Sequence, residues 1–125
     1  MFNSVALRAG RDGTEIVVHG DGRQTRTYGY VDDVTAGIWM AHWSGLGGIF
    51  NLAGNEETSV LDTIGMAIKV TGRGIPVRHE GDRAGQILRE VVSSERANRE
   101  LGWVHKTSYA DGMQKSWDWL KEAKR

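Results

Sequence analysis

Between residues 15 and 31 the chain alternates in character. Glu15-Ile-Val-Val-His19 leads to Gly20-Asp-Gly22, and Thr25-Arg-Thr-Tyr-Gly-Tyr-Val31 follows. β-branched and aromatic residues on both sides of a glycine turn predict a β-hairpin over residues 15 to 31. Alternation along a strand then puts Arg26, Tyr28 and Tyr30 on one face, and Val17 and His19 together on a face of the strand before it. A guanidinium beside aromatic rings can serve as a platform for an anion or a base, and it is also common on ordinary surfaces.

After the hairpin, Asp32 or Asp33 is placed to cap a helix carrying Val34, Ala36, Ile38, Trp39, Met40 and Trp43, before the stop at Ser44-Gly-Leu-Gly-Gly48. This helix is apolar nearly all round, so two tryptophans imply burial against several neighbours or a docking surface. Ile49-Phe-Asn-Leu-Ala53, an apolar run between glycines, predicts a short buried strand. Ser59 and Asp62 have the spacing of a capping box, opening a helix to about Val70 with Leu61, Ile64 and Ile68 on one face and Gly72 as its stop.

Ile75-Pro-Val77 resumes extended structure, and Ile87 to Val92 reads as another strand. Ser93 or Ser94 then caps a short helix ending at Leu101-Gly-Trp103. Ser108 and Asp111 repeat the capping spacing before a last helix, in which Tyr109, Met113, Trp117 and Leu120 recur at helical intervals. Residues 2 to 10 are mildly apolar through Phe2, Val5 and Leu7 and are assigned no element. Lys121 to Arg125 reads as a solvated end.

Composition narrows the picture. A chain of 125 residues is read as one domain, 1–125. Sixteen basic residues balance sixteen acidic ones, so net charge favours neither nucleic acid nor an anionic membrane. The absence of cysteine removes disulfides, thiolate metal sites and thiol catalysis, and fits a reducing cytoplasm. No apolar run has the length of a membrane span, and the first residues do not form a signal peptide, so a soluble, cytoplasmic protein is expected. Glycine, at 17 of 125, stands at about twice its usual share, so the chain reverses direction on glycine.

The stretch from His19 to Asp33 (HGDGRQTRTYGYVDD) resembles the GDGxQTRDFxYVDD stretch of the extended short-chain dehydrogenase/reductase family, the family of UDP-glucose 4-epimerase and the sugar-nucleotide dehydratases. Phe50-Asn-Leu-Ala-Gly54, Thr58-Ser-Val-Leu61, Arg78-His-Glu-Gly-Asp82, Ala97-Asn-Arg-Glu-Leu-Gly-Trp103 and Tyr109-Ala-Asp-Gly112 follow in the family's order, so the likeness runs from about residue 14 to the end. It implies an α/β (α+β) substrate-binding lobe of short strands and about four helices, without a complete Rossmann domain.

The resemblance also implies a site. Arg26 would contact the diphosphate of a nucleotide sugar, and Val17 and His19 would line the base pocket. The family's second diphosphate arginine stands three residues before the aspartate that is Asp82 here. That position is His79, with Arg78 beside it. An imidazole there replaces a fixed bidentate cation by a titratable group. The aspartate that follows the family's QTR arginine is Thr27, and about four extra residues lie between Asp82 and the next helix. Asn51 supports the fold in the family, and Asp33 is read as a helix cap.

The chemistry of the family is absent from these residues. No strand followed by GxxGxxG occurs to seat the NAD pyrophosphate, and Tyr28, Tyr30 and Tyr109 have no lysine four positions on. His19, His42, His79 and His105 lack ligand spacing, so no metal site is expected. No GxSxG elbow, P-loop or calcium loop is present. The expectation is a truncated, epimerase-like binding module with no catalytic residue and no cofactor of its own, taking a UDP- or dTDP-sugar. It binds neither nucleic acid nor membrane. Two alternatives stand beside it, a substrate-binding subunit completed by a separately encoded NAD-binding half, and an assembly protein that has lost its ligand. In the family the helix over 33–44 and the strand over 49–53 pack on the NAD-binding half, so a homodimer is expected to cover them here.

Overall fold

The structure, a computed structural model, describes residues 2–123. The end residues Lys124 and Arg125, expected to be solvated, lie outside the described part, as does Met1. The segment left unassigned by pattern is helix α1 (Phe2–Asp12), which buries Ala6, Leu7, Ala9 and Gly10. It packs chiefly on α3 (Val60–Thr71) and also meets α5 (Tyr109–Glu122). With α2 (Val31–Trp43) and α4 (Glu95–Leu101), it brings the helices among the described residues to five, one more than expected.

The predicted hairpin does not form. Strand β1 (Ile16–His19) pairs in parallel with β4 (Val77–Glu80), while β2 (Thr25–Thr27) lies between β3 (Glu57–Ser59), antiparallel, and β5 (Arg89–Glu90), parallel. Residues 20–24 therefore carry the chain from one small sheet to another. The cause is burial: Ile16 and Val18 are both 2% exposed because they face the α1, α3 and α5 core, where β4 supplies the backbone partners.

That core joins Leu7 of α1, Ile64 and Ala67 of α3, Ile75, and Met113 and Leu120 of α5. The buried line of α3 is Thr63, Ile64 and Ala67, rotated from the expected one, so that Leu61 and Ile68 are exposed. Its capping box is present, with the Ser59 side chain accepting from the Asp62 N–H at 3.0 Å and the Asp62 carboxylate accepting from the Ser59 N–H at 3.2 Å. Left-handed Gly72 ends it. Helix α5 carries its stripe as read, with Met113 and Leu120 buried and Tyr109 and Trp117 packed against the core. Ser108 accepts from the Asp111 N–H at 3.1 Å.

Helix α2 is attached differently. Its only buried residue is Gly37, where a Cβ would stand 2.7 Å from Leu52 and 2.8 Å from the Trp103 indole nitrogen. Glycine is required there because the helix backbone rests directly on those side chains. Neither aspartate caps it. Asp33 instead reaches the segment after α4, accepting from the N–H groups of Thr107 at 2.8 Å and Lys106 at 3.3 Å. Burial opposes ionisation of Asp33, but the bonds from Thr107 and Lys106 outweigh it and hold its carboxyl below the usual range.

Residues 49–53 form no strand, and Ile49 is 83% exposed. No neighbouring strand among the described residues offers them a ladder, and they are held by side chains instead: Ser94 Oγ accepts from the Ala53 N–H at 2.9 Å, and Arg96 donates to the Ile49 carbonyl at 3.1 Å. Ser94 is thus spent on the 49–53 segment and makes no cap bond to α4. No described helix is long and apolar enough to cross a membrane.

Candidate functional site

Where the two small sheets meet, the chain encloses an open cleft of about 500 Å³. Val17, Val18 and His19 of β1 form one wall, Arg26 and Tyr28 another, and residues 83–87 the lip; Gln24 lies between the walls. The crossing at 20–24 sets this arrangement, carrying the chain from β1 on one wall to Arg26 of β2 on the other.

Arg26 is half-buried and held at every nitrogen. Its Nε is 2.9 Å from the Glu90 carboxylate, and its terminal nitrogens donate to the carbonyls of Thr25 at 2.7 Å and Ile87 at 2.9 Å. A guanidinium fixed this way presents its remaining N–H groups in a set direction. His19 is half-buried, with Nδ1 3.8 Å from Glu80. Gln24 donates to the His19 carbonyl at 3.2 Å, while its buried Oε1 has no hydrogen-bond donor among the described residues.

Three of the five expected residues, Val17, His19 and Arg26, thus come together. Arg78 and His79 do not line the cleft. Arg78 is in register with Val17, but its guanidinium lies between Glu15, at 2.8 Å, and Glu80. His79, in register with Val18, directs Nδ1 at the Gly20 carbonyl, 2.8 Å away. Gln24, Arg83 and Gln86 line the cleft and were not singled out in the sequence. Gln24 stands inside the QTR stretch, which is a signal that could have found it. Arg83 and Gln86 lie in the extra residues after Asp82, where no motif marks them. Among the described residues no group of three or more His, Asp or Glu side chains is placed to hold a metal.

A sequence profile described as GDP-mannose 4,6 dehydratase matches residues 3–116. The chain belongs to the NAD-dependent epimerase/dehydratase family. Within this family it is 31% identical over 110 residues to the dTDP-glucose 4,6-dehydratase of Streptomyces griseus, a match covering 86% of this chain and 34% of the relative. It is 33% identical over 107 residues to the UDP-glucose 4-epimerase of Halalkalibacterium halodurans, covering 82% of this chain and 32% of that one. The crystal structure of UDP-glucose 4-epimerase with UDP-glucose from Thermotoga maritima superposes on it with a TM-score of 0.92 at 25% identity, covering all of this chain and 40% of the other. The chain therefore spans about a third of the length of the curated relatives it matches.

Proposed function

We propose that these residues form a nucleotide-sugar binding module of the epimerase/dehydratase family, taking UDP- or dTDP-sugars with low affinity and lacking catalysis of their own. The observation that carries this reading is the convergence of Val17, His19, Gln24 and Arg26 on one cleft, within a fold that superposes on an epimerase crystallised with UDP-glucose. Each part has a chemical use. Arg26 presents donors to a diphosphate, the Val17 and His19 wall suits the flat face of a base, and the orphaned Gln24 oxygen can accept from an imide N–H. The absence of catalysis follows from the missing glycine-rich turn and tyrosine/lysine pair in these 125 residues.

Ligand-detected NMR with UDP, UDP-glucose and dTDP-glucose tests the reading. Saturable binding is expected, weakened about tenfold or more in Arg26→Ala, as loss of a charge-assisted bond implies. Unchanged affinity in that variant would remove Arg26 from the site.

A second reading concerns α2. Ile38, Trp39 and Trp43 are 58, 57 and 76% exposed, and the two indoles stack with centroids 6.4 Å apart. A contiguous apolar face of this kind supports an interface, proposed here as a homodimer contact. The competing occupant is a separately encoded NAD-binding half, which would make the chain one subunit of a split enzyme. An assembly protein without a ligand is the outcome if the cleft binds nothing.

A further inference from the structure

Residues 81–88 run from the end of β4 to the edge of β2 and form the lip of the cleft. The loop is fastened at several points. The Thr25 N–H donates to the Leu88 carbonyl at 2.9 Å, and Gln86 closes a turn by donating its N–H to the Arg83 carbonyl at 3.0 Å. The Asp82 carboxylate lies so close to Gly20 that a Cβ there would meet Oδ1 at 2.3 Å. Absence of a side chain at position 20 therefore lets the loop fold down onto the turn after β1. Arg83 follows directly and faces the cleft from its lip.

We propose that Arg83 supplies the second cation for the diphosphate in this cleft, taking over the part that sequence spacing gives to position 79. The inference rests on the nucleotide-sugar reading and adds a residue to it. Its ground is the pairing of the neighbouring arginines. Arg26 is bound to Glu90, Arg78 to Glu15 and Glu80, and Arg89 to both carboxylate oxygens of Glu57 at 2.8 Å. A phosphate reaching any of these must compete with a carboxylate already in place. Arg83 lines the cleft, and its side chain has no hydrogen bond or ion pair among the described residues, so its charge is available without breaking one. Its location also gives the extra residues after Asp82 a use: they bring an arginine to the lip of a cleft that His79 does not line.

UDP titrations by ligand-detected NMR on the wild type, Arg83→Ala, Arg83→Lys and Arg78→Ala, at low and moderate salt, decide the matter. Circular dichroism would confirm the fold of each. Arg83→Ala is expected to weaken UDP about tenfold and to flatten the salt dependence, while Arg83→Lys recovers most of the affinity because charge is retained. Wild-type affinity in Arg83→Ala, or a loss confined to Arg78→Ala, overturns the proposal while leaving the nucleotide reading intact. A wild type that binds no UDP overturns both.

Discussion

The indole nitrogen of Trp103 donates to the main-chain carbonyl of Asp33 at 2.7 Å, tying the segment after α4 to the first turn of α2. Since α2 buries only Gly37, its attachment rests on this bond, the contact around Gly37 and the bonds of the Asp33 carboxylate to Lys106 and Thr107. Gly37→Ala drives a methyl into Leu52 and the same indole. It is expected to destabilise the chain by about 1–3 kcal/mol, the usual range for overpacking, as read by urea denaturation. A neutral result would show that α2 can shift outward freely.

Leu7 is 2% exposed at the α1 contact with the core. Leu7→Ala should cost about 2–5 kcal/mol in the same experiment, because the surrounding helices cannot close fully on the vacated volume. A loss below about 1 kcal/mol would mean that α1 is held to α3 mainly by other residues.

Hydrogen bonds from Arg89 and Thr25 hold the Glu57 carboxyl down to about 2, against an ordinary 4.5. A depressed carboxyl contributes stability above its unfolded value, and that contribution is lost as pH falls from about 4.5 to about 2. Glu57→Gln should therefore show a shallower fall in urea midpoint over this window than the wild type. Asp33, Glu100 and Asp118, also held low, leave some slope behind. Equal slopes in the two proteins would dismiss the Glu57 contribution.

At the alkaline end, burial pushes the Tyr109 phenol up to about 12, opposed by its bond to Thr63. The hydroxyl lies 2.9 Å from Thr63 Oγ1 and 3.2 Å from Asn3, and the ring stacks on Tyr28 at 5.6 Å. A raised phenol keeps its contribution below the unfolded value of 10.0 and loses it as pH climbs toward 12. Phenolate absorbance should show a late step near pH 12 that disappears in Tyr109→Phe. If all three tyrosines titrate together near their ordinary value, Tyr109 is not buried in solution.

For the exposed face of α2, light scattering at tens of micromolar is expected to give about twice the chain mass of 13.8 kDa, and Trp43→Glu to return it to a monomer. A wild-type monomer at every concentration rejects the homodimer. Recovery of a bound NAD-binding chain from the native source would favour the split enzyme.

Local rules were legible wherever one segment contains its own solution. The Ser59/Asp62 box, the glycine stops at Gly72 and Gly102 and the α5 stripe each depend on residues within a few positions of one another. Helix α1 was not read from the sequence: Phe2, Ala6 and Ala9 do recur at helical spacing, but they are small or few in number, and glycine at position 10 weakens the pattern. The site was half legible. Val17, His19 and Arg26 lie in or directly before one continuous motif, whereas Arg83 reaches the cleft only through the fold of a loop.

Sequence by itself determined four of the five helices, the capped start of α3 and α5, the glycine stops of α3 and α4, and the family to which the order of motifs belongs. Tertiary structure decided which strands pair, because Ile16 and Val18 are satisfied by β4, some 60 residues later, and not by the strand beyond the glycine turn. It also decided which charges remain available. Whether an arginine faces a ligand or a carboxylate depends on distant partners, such as Glu15 for Arg78 and Glu90 for Arg26, that no local pattern encodes.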